Sequence, residues 1–221
     1  MKKVIAIDGP SGAGKSTVAK LISRELGYDY LDTGALYRAV ALGLMHLGVN
    51  EQSSDQTLIS ALEKTKVEFR GGLILLNDRD VSGEIRSPEA GHYASVFSAK
   101  KPVRAYLMNI QRDAALHSDL VAEGRDMTTV VFPDAYKKFY LDASVDERSR
   151  RRTLELISKG FEVDEDNIRL HITERDVRDS TRDIAPLKKT DDAYLIDSTG
   201  LSVDDVFRKI LAIIKKDSHE K

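Results

Sequence analysis

Residues 9–16, Gly9-Pro10-Ser11-Gly12-Ala13-Gly14-Lys15-Ser16, reproduce the spacing G-x-x-x-x-G-K-[ST] in full. Each residue type in that pattern has a physical reason. Glycines let successive backbone N–H groups turn inward and cradle phosphate oxygens. A helix N-terminus following the loop adds positive potential at the same point. Lys15 can reach the β- and γ-phosphates of a nucleoside triphosphate, and the Ser16 hydroxyl can ligate Mg²⁺. The motif names a triphosphate ligand but not a reaction, because GTPases, ATPases and small-molecule kinases share it.

A second phosphate chemistry is written in arginine. Bringing a monophosphate dianion close to a γ-phosphate sets like charges against each other, and the planar guanidinium fork is the natural remedy. Arg38, Arg125 and Arg182 are three candidates for this grip. Arg175, Asp179 and Arg182 recur at spacings of four and three, which places them on one face of a helix, with Arg178 close to the same face. A structural ion-pair ladder has the same signature. Arg148, Arg150, Arg151 and Arg152 form a dense basic run. Such a run is a solvated helix face or a set of donors for a transferring phosphoryl group, and the spacing does not say which arginine points inward. The five histidines are scattered, with no pair at a metal-ligand spacing.

These groups need a scaffold, and the chain supplies a strand–helix alternation. Val4–Ile7 is short, β-branched and apolar and reads as a buried parallel strand. Lys15–Leu26 reads as an amphipathic helix closed by Gly27. Tyr28–Leu31 reads as a strand, and Asp32-Thr33-Gly34 as the cap of a helix with Leu36, Val40, Leu44 and Leu47 on its apolar stripe. From Thr57 to Ser87 the alternation breaks: Lys66–Arg70 and Leu73–Leu76 flank Gly71-Gly72 and read as a β-hairpin insertion. Helices opened by Pro88 and Pro102 follow. Leu120–Ala122, Lys138–Leu141 and Tyr194–Ile196 read as further core strands; Val145–Ile157, Ile168–Arg182 and Val203–Ile214 read as helices, with a polar, mobile tract over Phe161–Asn167. The pattern predicts an α/β fold with a mainly parallel five-stranded sheet covered on both faces, a three-layer α/β/α arrangement.

Composition sets the outer bounds. The 221 residues suit one α/β domain with insertions. A 41% apolar and 32% charged content marks a globular chain rather than a disordered one. The net charge of −2 argues against nucleic acid or a membrane surface as partner. The lack of cysteine excludes disulfides and thiolate metal sites. The apolar run behind Met1-Lys2-Lys3 is too short for a signal peptide, and no stretch approaches a membrane span, so a cytoplasmic monomer is expected.

Several segments together carry a family resemblance. They are Gly9–Thr17; Tyr30–Gly34 followed by Leu36-Tyr37-Arg38; Glu123-Gly124-Arg125-Asp126; Thr129–Ala135; and Arg175-Asp176-x-x-Asp179-Ser180-x-Arg182-x-x-Ala185-Pro186-Leu187. In this order the chain resembles the bacterial cytidylate kinases, P-loop nucleoside monophosphate kinases, from residue 4 to about residue 200. The resemblance implies that Gly9, Pro10, Ser11, Gly12, Ala13, Gly14, Lys15, Ser16 and Thr17 bind ATP with Mg²⁺ at Ser16. It implies that Arg38, Arg125 and Arg182 hold the CMP or dCMP phosphate, that Arg175 and Asp179 bind the sugar, that Ser95, Arg104 and Asp126 read the base, and that Thr33 belongs to the same site. Asp32 and Asp126 are weaker candidates for water-mediated support of Mg²⁺. It also implies a core of residues 1–34, 118–147 and 168–221, a monophosphate-binding region with the β-insertion over 35–117, and a helical lid over 148–167. On this reading Lys15, Arg148, Arg151 and Arg152 are the catalytic candidates. A kinase for UMP or another small acceptor is the first alternative. A non-catalytic P-loop switch is the second, weakened because the chain holds no Asn-Lys pair for a guanine-reading N-K-x-D motif.

Overall fold

A computed structural model describes residues 2–70 and 73–216. The central sheet has the strand order β2-β6-β1-β7-β8, built from β1 (Val4–Asp8), β2 (Asp29–Asp32), β6 (Leu120–Gly124), β7 (Lys137–Asp142) and β8 (Tyr194–Asp197). The β1–β6, β1–β7 and β7–β8 pairs are parallel. All residues of β1 and β6 are buried, as a strand with neighbours on both edges and cover on both faces requires. This is the expected α/β class, with the phosphate motif leaving the C-terminal end of the middle strand.

The described chain divides into two compact units, Tyr30–Ser118 and a second made of Lys3–Asp29 with the chain from Asp119 onward. In the second unit, α1 (Lys15–Leu26) lies on β1 and β6 and against α8 (Val203–Lys216). Gly27 ends α1 in the left-handed conformation, as its position predicts. Helices α6 (Val145–Ser158) and α7 (Glu165–Thr181) pack on one another. Between Asp126 and β7 the backbone makes a π-type turn over Met127–Val131.

The first unit holds α2 (Thr33–His46), α3 (Asp55–Leu62), a small antiparallel sheet, α4 (Pro88–Phe97) and α5 (Lys101–Asp113). Asp32 caps α2 by accepting from the Ala35 N–H at 2.9 Å, and Ser87 caps α4 ahead of Pro88. Of the predicted α2 stripe, Leu36, Val40 and Leu44 are fully buried. Leu47 is exposed because the helix stops at His46 and the chain turns away.

Three boundaries differ from the sequence expectation. The insertion is a three-stranded sheet, β3 (Val67–Arg70), β4 (Leu73–Leu76) and β5 (Arg79–Asp80), not a lone hairpin. Its second turn is Asn77-Asp78, both at positive φ, the requirement of a type I′ turn; Gly71-Gly72 lies outside the described residues. The tract Phe161–Asn167 is shortened, since α7 already begins at Glu165. The Asp164 carboxylate accepts from the N–H groups of Asp166 and Asn167, and Glu165 and Asp166 suit the positive end of the helix dipole. A 3₁₀ turn at Glu84–Arg86 precedes α4. No described helix is long and apolar enough to cross a membrane.

Candidate active site

The phosphate loop departs from β1 through Gly9 at φ 149°, where a Cβ atom would lie 1.9 Å from the Leu141 carbonyl oxygen. Only glycine permits that approach. Gly14, at φ 93°, caps α1 without a side chain to meet the first N–H groups, and no acidic residue sits in the first turn. Those donors therefore face the loop, the arrangement that favours an anion. Lys15 is buried and donates from Nζ to the Pro10 carbonyl at 2.8 Å. Its pKa is pushed down to about 7, first by burial and then by the positive charges of Arg125 and Arg175, with Glu123 and Asp8 pulling the other way. The Ser16 hydroxyl donates to the buried Glu123 carboxylate at 2.5 Å.

Glu123 is the penultimate residue of β6, which ends at Gly124, and Arg125-Asp126 follow. Arg125 donates from Nε to Asp179 Oδ2 at 2.9 Å and from an η nitrogen to the Gly124 carbonyl at 3.1 Å. Asp179 lies on α7 and is nearly fully buried. Two more guanidiniums approach it, Arg175 at 3.8 Å and Arg182 at 4.0 Å. Arg182 also stands 3.7 Å from Asp126 and is steadied by donating to the Ala185 carbonyl at 2.8 Å. Burial pushes the Asp179 carboxyl up, but the charges of Arg125 and Arg175 outweigh it and hold the group below the usual carboxylate range.

The basic run on α6 splits by face. Arg148 is buried and donates to the Ala143 carbonyl (2.9 Å), the Ser11 carbonyl (3.0 Å) and Asp176 (2.5 Å). Asp176 in turn accepts from the Ser11 N–H at 3.4 Å. Arg151 reaches the Ala13 carbonyl (3.4 Å) and both the hydroxyl (3.0 Å) and carbonyl (2.6 Å) of Ser198. Arg150 and Arg152 lie on the outer side and pair with Glu147 and Glu155.

The family model for cytidylate kinase matches residues 5–216. The chain belongs to the cytidylate kinase family. It is 49% identical over 212 residues to a cytidylate kinase of Thermosipho melanesiensis, covering 96% of each chain. It is 50% identical to that of Fervidobacterium nodosum over the same share. Among solved structures, shikimate kinase from Acinetobacter baumannii matches with a TM-score of 0.50 at 17% identity, over 99% of this chain and 96% of that one, a likeness of fold alone.

Within this cytidylate kinase fold, Lys15, Arg125, Asp126, Arg175, Asp179, Arg182, Arg148, Arg151 and Arg152 all belong to the second unit. Thr33, Arg38, Ser95 and Arg104 belong to the first. There, Thr33 is buried at the start of α2, one turn before Arg38. Arg104 is buried on α5, donates to the Ser98 carbonyl at 3.2 Å and lies over the Tyr37 ring, and Ser95 is buried on α4. An open apolar cleft of about 760 Å³ in the same unit, lined by Ile59, Leu62, Pro102, Ala105 and Tyr106 among others, holds none of these residues.

Three acidic residues were missed as actors. Asp8 accepts from the Met127 N–H (2.9 Å), the Thr128 N–H (2.7 Å) and the Thr128 hydroxyl (2.7 Å) while fully buried. Glu123 holds Ser16, and Asp176 braces Ser11. A charged residue closing an otherwise apolar buried strand, as in Val4–Asp8 and Leu120–Glu123, was the available signal.

Proposed function

We propose that the protein transfers the γ-phosphate of ATP directly to the phosphate of CMP or dCMP, giving ADP and the corresponding diphosphate. One observation carries this reading: Glu123, which accepts from Ser16 of the triphosphate loop, stands two residues before Arg125, which pairs with Asp179 in a second, separate arginine cluster. Two phosphate-binding groups side by side fit transfer between phosphates better than hydrolysis or switching. Arg38, Arg125 and Arg182 are assigned to the acceptor phosphate. Arg175 and Asp179 hold the sugar, and Asp126, Ser95 and Arg104 read the base.

The acceptor phosphate is an anionic nucleophile at neutral pH, so no side chain has to remove a proton. Catalysis is then alignment and charge neutralisation. The loop N–H groups and Lys15 bind the triphosphate, while the arginines hold the acceptor against its repulsion. Arg148 and Arg151 grip carbonyls of the loop itself and keep its donors aimed inward. The oxygen pair formed by Ser16 and Glu123 suits a hard divalent cation, and Mg²⁺ bound there would draw charge off the β- and γ-phosphates.

An acceptor panel tests the reading. ADP release is measured with CMP, dCMP, UMP and AMP. Cytosine offers an amine donor where uracil offers an acceptor. A carboxylate such as Asp126 at that position therefore favours CMP and dCMP. Arg182→Ala should lower kcat/KM for CMP by about 10³ or more while ATP binding is kept. Equal turnover with UMP, or ADP release indifferent to any acceptor, would reject it.

A further inference from the structure

Asp126 occupies the N-cap position of the Met127–Val131 turn. An aspartate there ordinarily folds its side chain back and accepts from the N–H groups two or three residues on. Asp126 does not cap its turn with its side chain. The Thr128 N–H that would serve it donates instead to Asp8, as do the Met127 N–H and the Thr128 hydroxyl. Asp8 comes from the end of β1, in register with Gly124, so the cap is delivered from a neighbouring strand. The Asp126 carboxylate turns toward Arg182 instead.

We propose that Asp8 is a positioning residue for base recognition: by capping the Met127–Val131 turn from β1, it leaves the Asp126 carboxylate outside that turn, on the side of Arg182. The inference rests on the reading that Asp126 recognises cytosine. It has a physical rationale beyond fold stability. Burying Asp8 fully beside Asp126 sets two carboxylates close together, and the cap tolerates this because it holds three donors on two oxygens. A carboxylate differs from Asn in offering both oxygens as acceptors, and Asp8 uses both.

The test compares CMP and UMP kinetics in the wild type, Asp8→Asn, Thr128→Val, Asp126→Ala and the double variant Asp8→Asn/Asp126→Ala, with thermal unfolding of each. Asp8→Asn keeps the size but replaces one acceptor with a donor facing an N–H. Its KM for CMP should rise about tenfold and the CMP:UMP preference should fall toward that of Asp126→Ala. Thr128→Val removes only the hydroxyl bond and should shift the same two quantities by about two- to threefold, which keeps the inference testable if Asp8→Asn folds poorly. With Asp126 already removed, Asp8→Asn should not lower discrimination further. An unchanged CMP:UMP ratio in both Asp8→Asn and Thr128→Val would overturn the inference, as would ATP and CMP constants worsening together in Thr128→Val. A wild type that fails to prefer CMP would instead defeat the underlying assignment of Asp126.

Discussion

Arg148→Met separates two roles open to this arginine. The guanidinium is buried and makes three hydrogen bonds, to two backbone carbonyls and the Asp176 carboxylate. Two of its contacts converge on Ser11, since Asp176 also accepts from the Ser11 N–H. In this arrangement Arg148 braces the loop rather than reaching for a phosphoryl group. Met retains the apolar stem and removes the charge. Breaking a buried pair costs roughly 3–5 kcal/mol. The Asp176 side chain keeps 21% exposure and the Ser11 donor, so the lower end, about 3 kcal/mol, applies here. For a chain of this size that is a fall in Tm of about 6–12 °C.

Differential scanning calorimetry with steady-state kinetics checks the prediction. Arg148→Met and Asp176→Asn should each lower Tm and raise KM for ATP. The double variant should cost less than the sum, with a coupling of about 1–3 kcal/mol. A transition-state arginine behaves differently, since its loss lowers kcat by about 10³–10⁵ with little effect on stability. If Arg148→Met kept its Tm within about 2 °C and lost kcat a thousandfold, the brace would be refuted.

Two further results follow from the phosphate loop. Gly9→Ala forces a Cβ into the Leu141 carbonyl at positive φ, and strain plus overpacking of about 3 kcal/mol should lower Tm by about 6–12 °C and impair ATP binding; an unchanged melting curve would count against the loop geometry. Lys15, with its pKa pushed down to about 7, is largely neutral at pH 8 in the free protein and charged once phosphates bind, so ATP binding should take up close to one proton at pH 8 and little at pH 6. Between pH 7 and 10.5 the unfolded chain holds more protons at this site than the folded one, so its contribution to stability grows as pH rises through that window. Titration calorimetry in two buffers of different ionisation enthalpy reads the uptake, and buffer-independent heats at pH 8 would contradict it.

What the sequence made legible was local. The phosphate loop is contiguous and its flanks are a strand and a helix, so spacing alone placed Lys15 and Ser16. Arg175 and Asp179 share a face of α7, and a period of 3.6 brings them together before any tertiary contact is known; Arg182, expected on the same helix, is instead its extended C-cap residue. Asp8 and Thr128 lie far apart in the chain and meet only through strand pairing, so no window could join them. Arg148 read as one member of a basic run, because which side of α6 faces the loop is decided by packing rather than by charge. Other misses were readable. Asn77-Asp78 announces a type I′ turn, and Asp164 followed by two acidic residues announces a helix start.

The arginine cluster is gathered around a buried carboxylate before any phosphate arrives. Three guanidiniums converge on Asp179, but only Arg125 is within a short hydrogen bond of it. Asp179 is common to all three, while Asp126 also faces Arg182 and the charges of Glu123 and Asp176 act on Arg125. The cluster's charge is felt at Lys15, whose ammonium is disfavoured by Arg125 and Arg175 as well as by burial. Here the repulsion is built in at folding and relieved on binding, so the donors need little rearrangement when two phosphates are brought together. Asp179 is therefore best understood as a shared anchor: a buried carboxylate that draws Arg125, Arg175 and Arg182 to one place from a helix and a strand end.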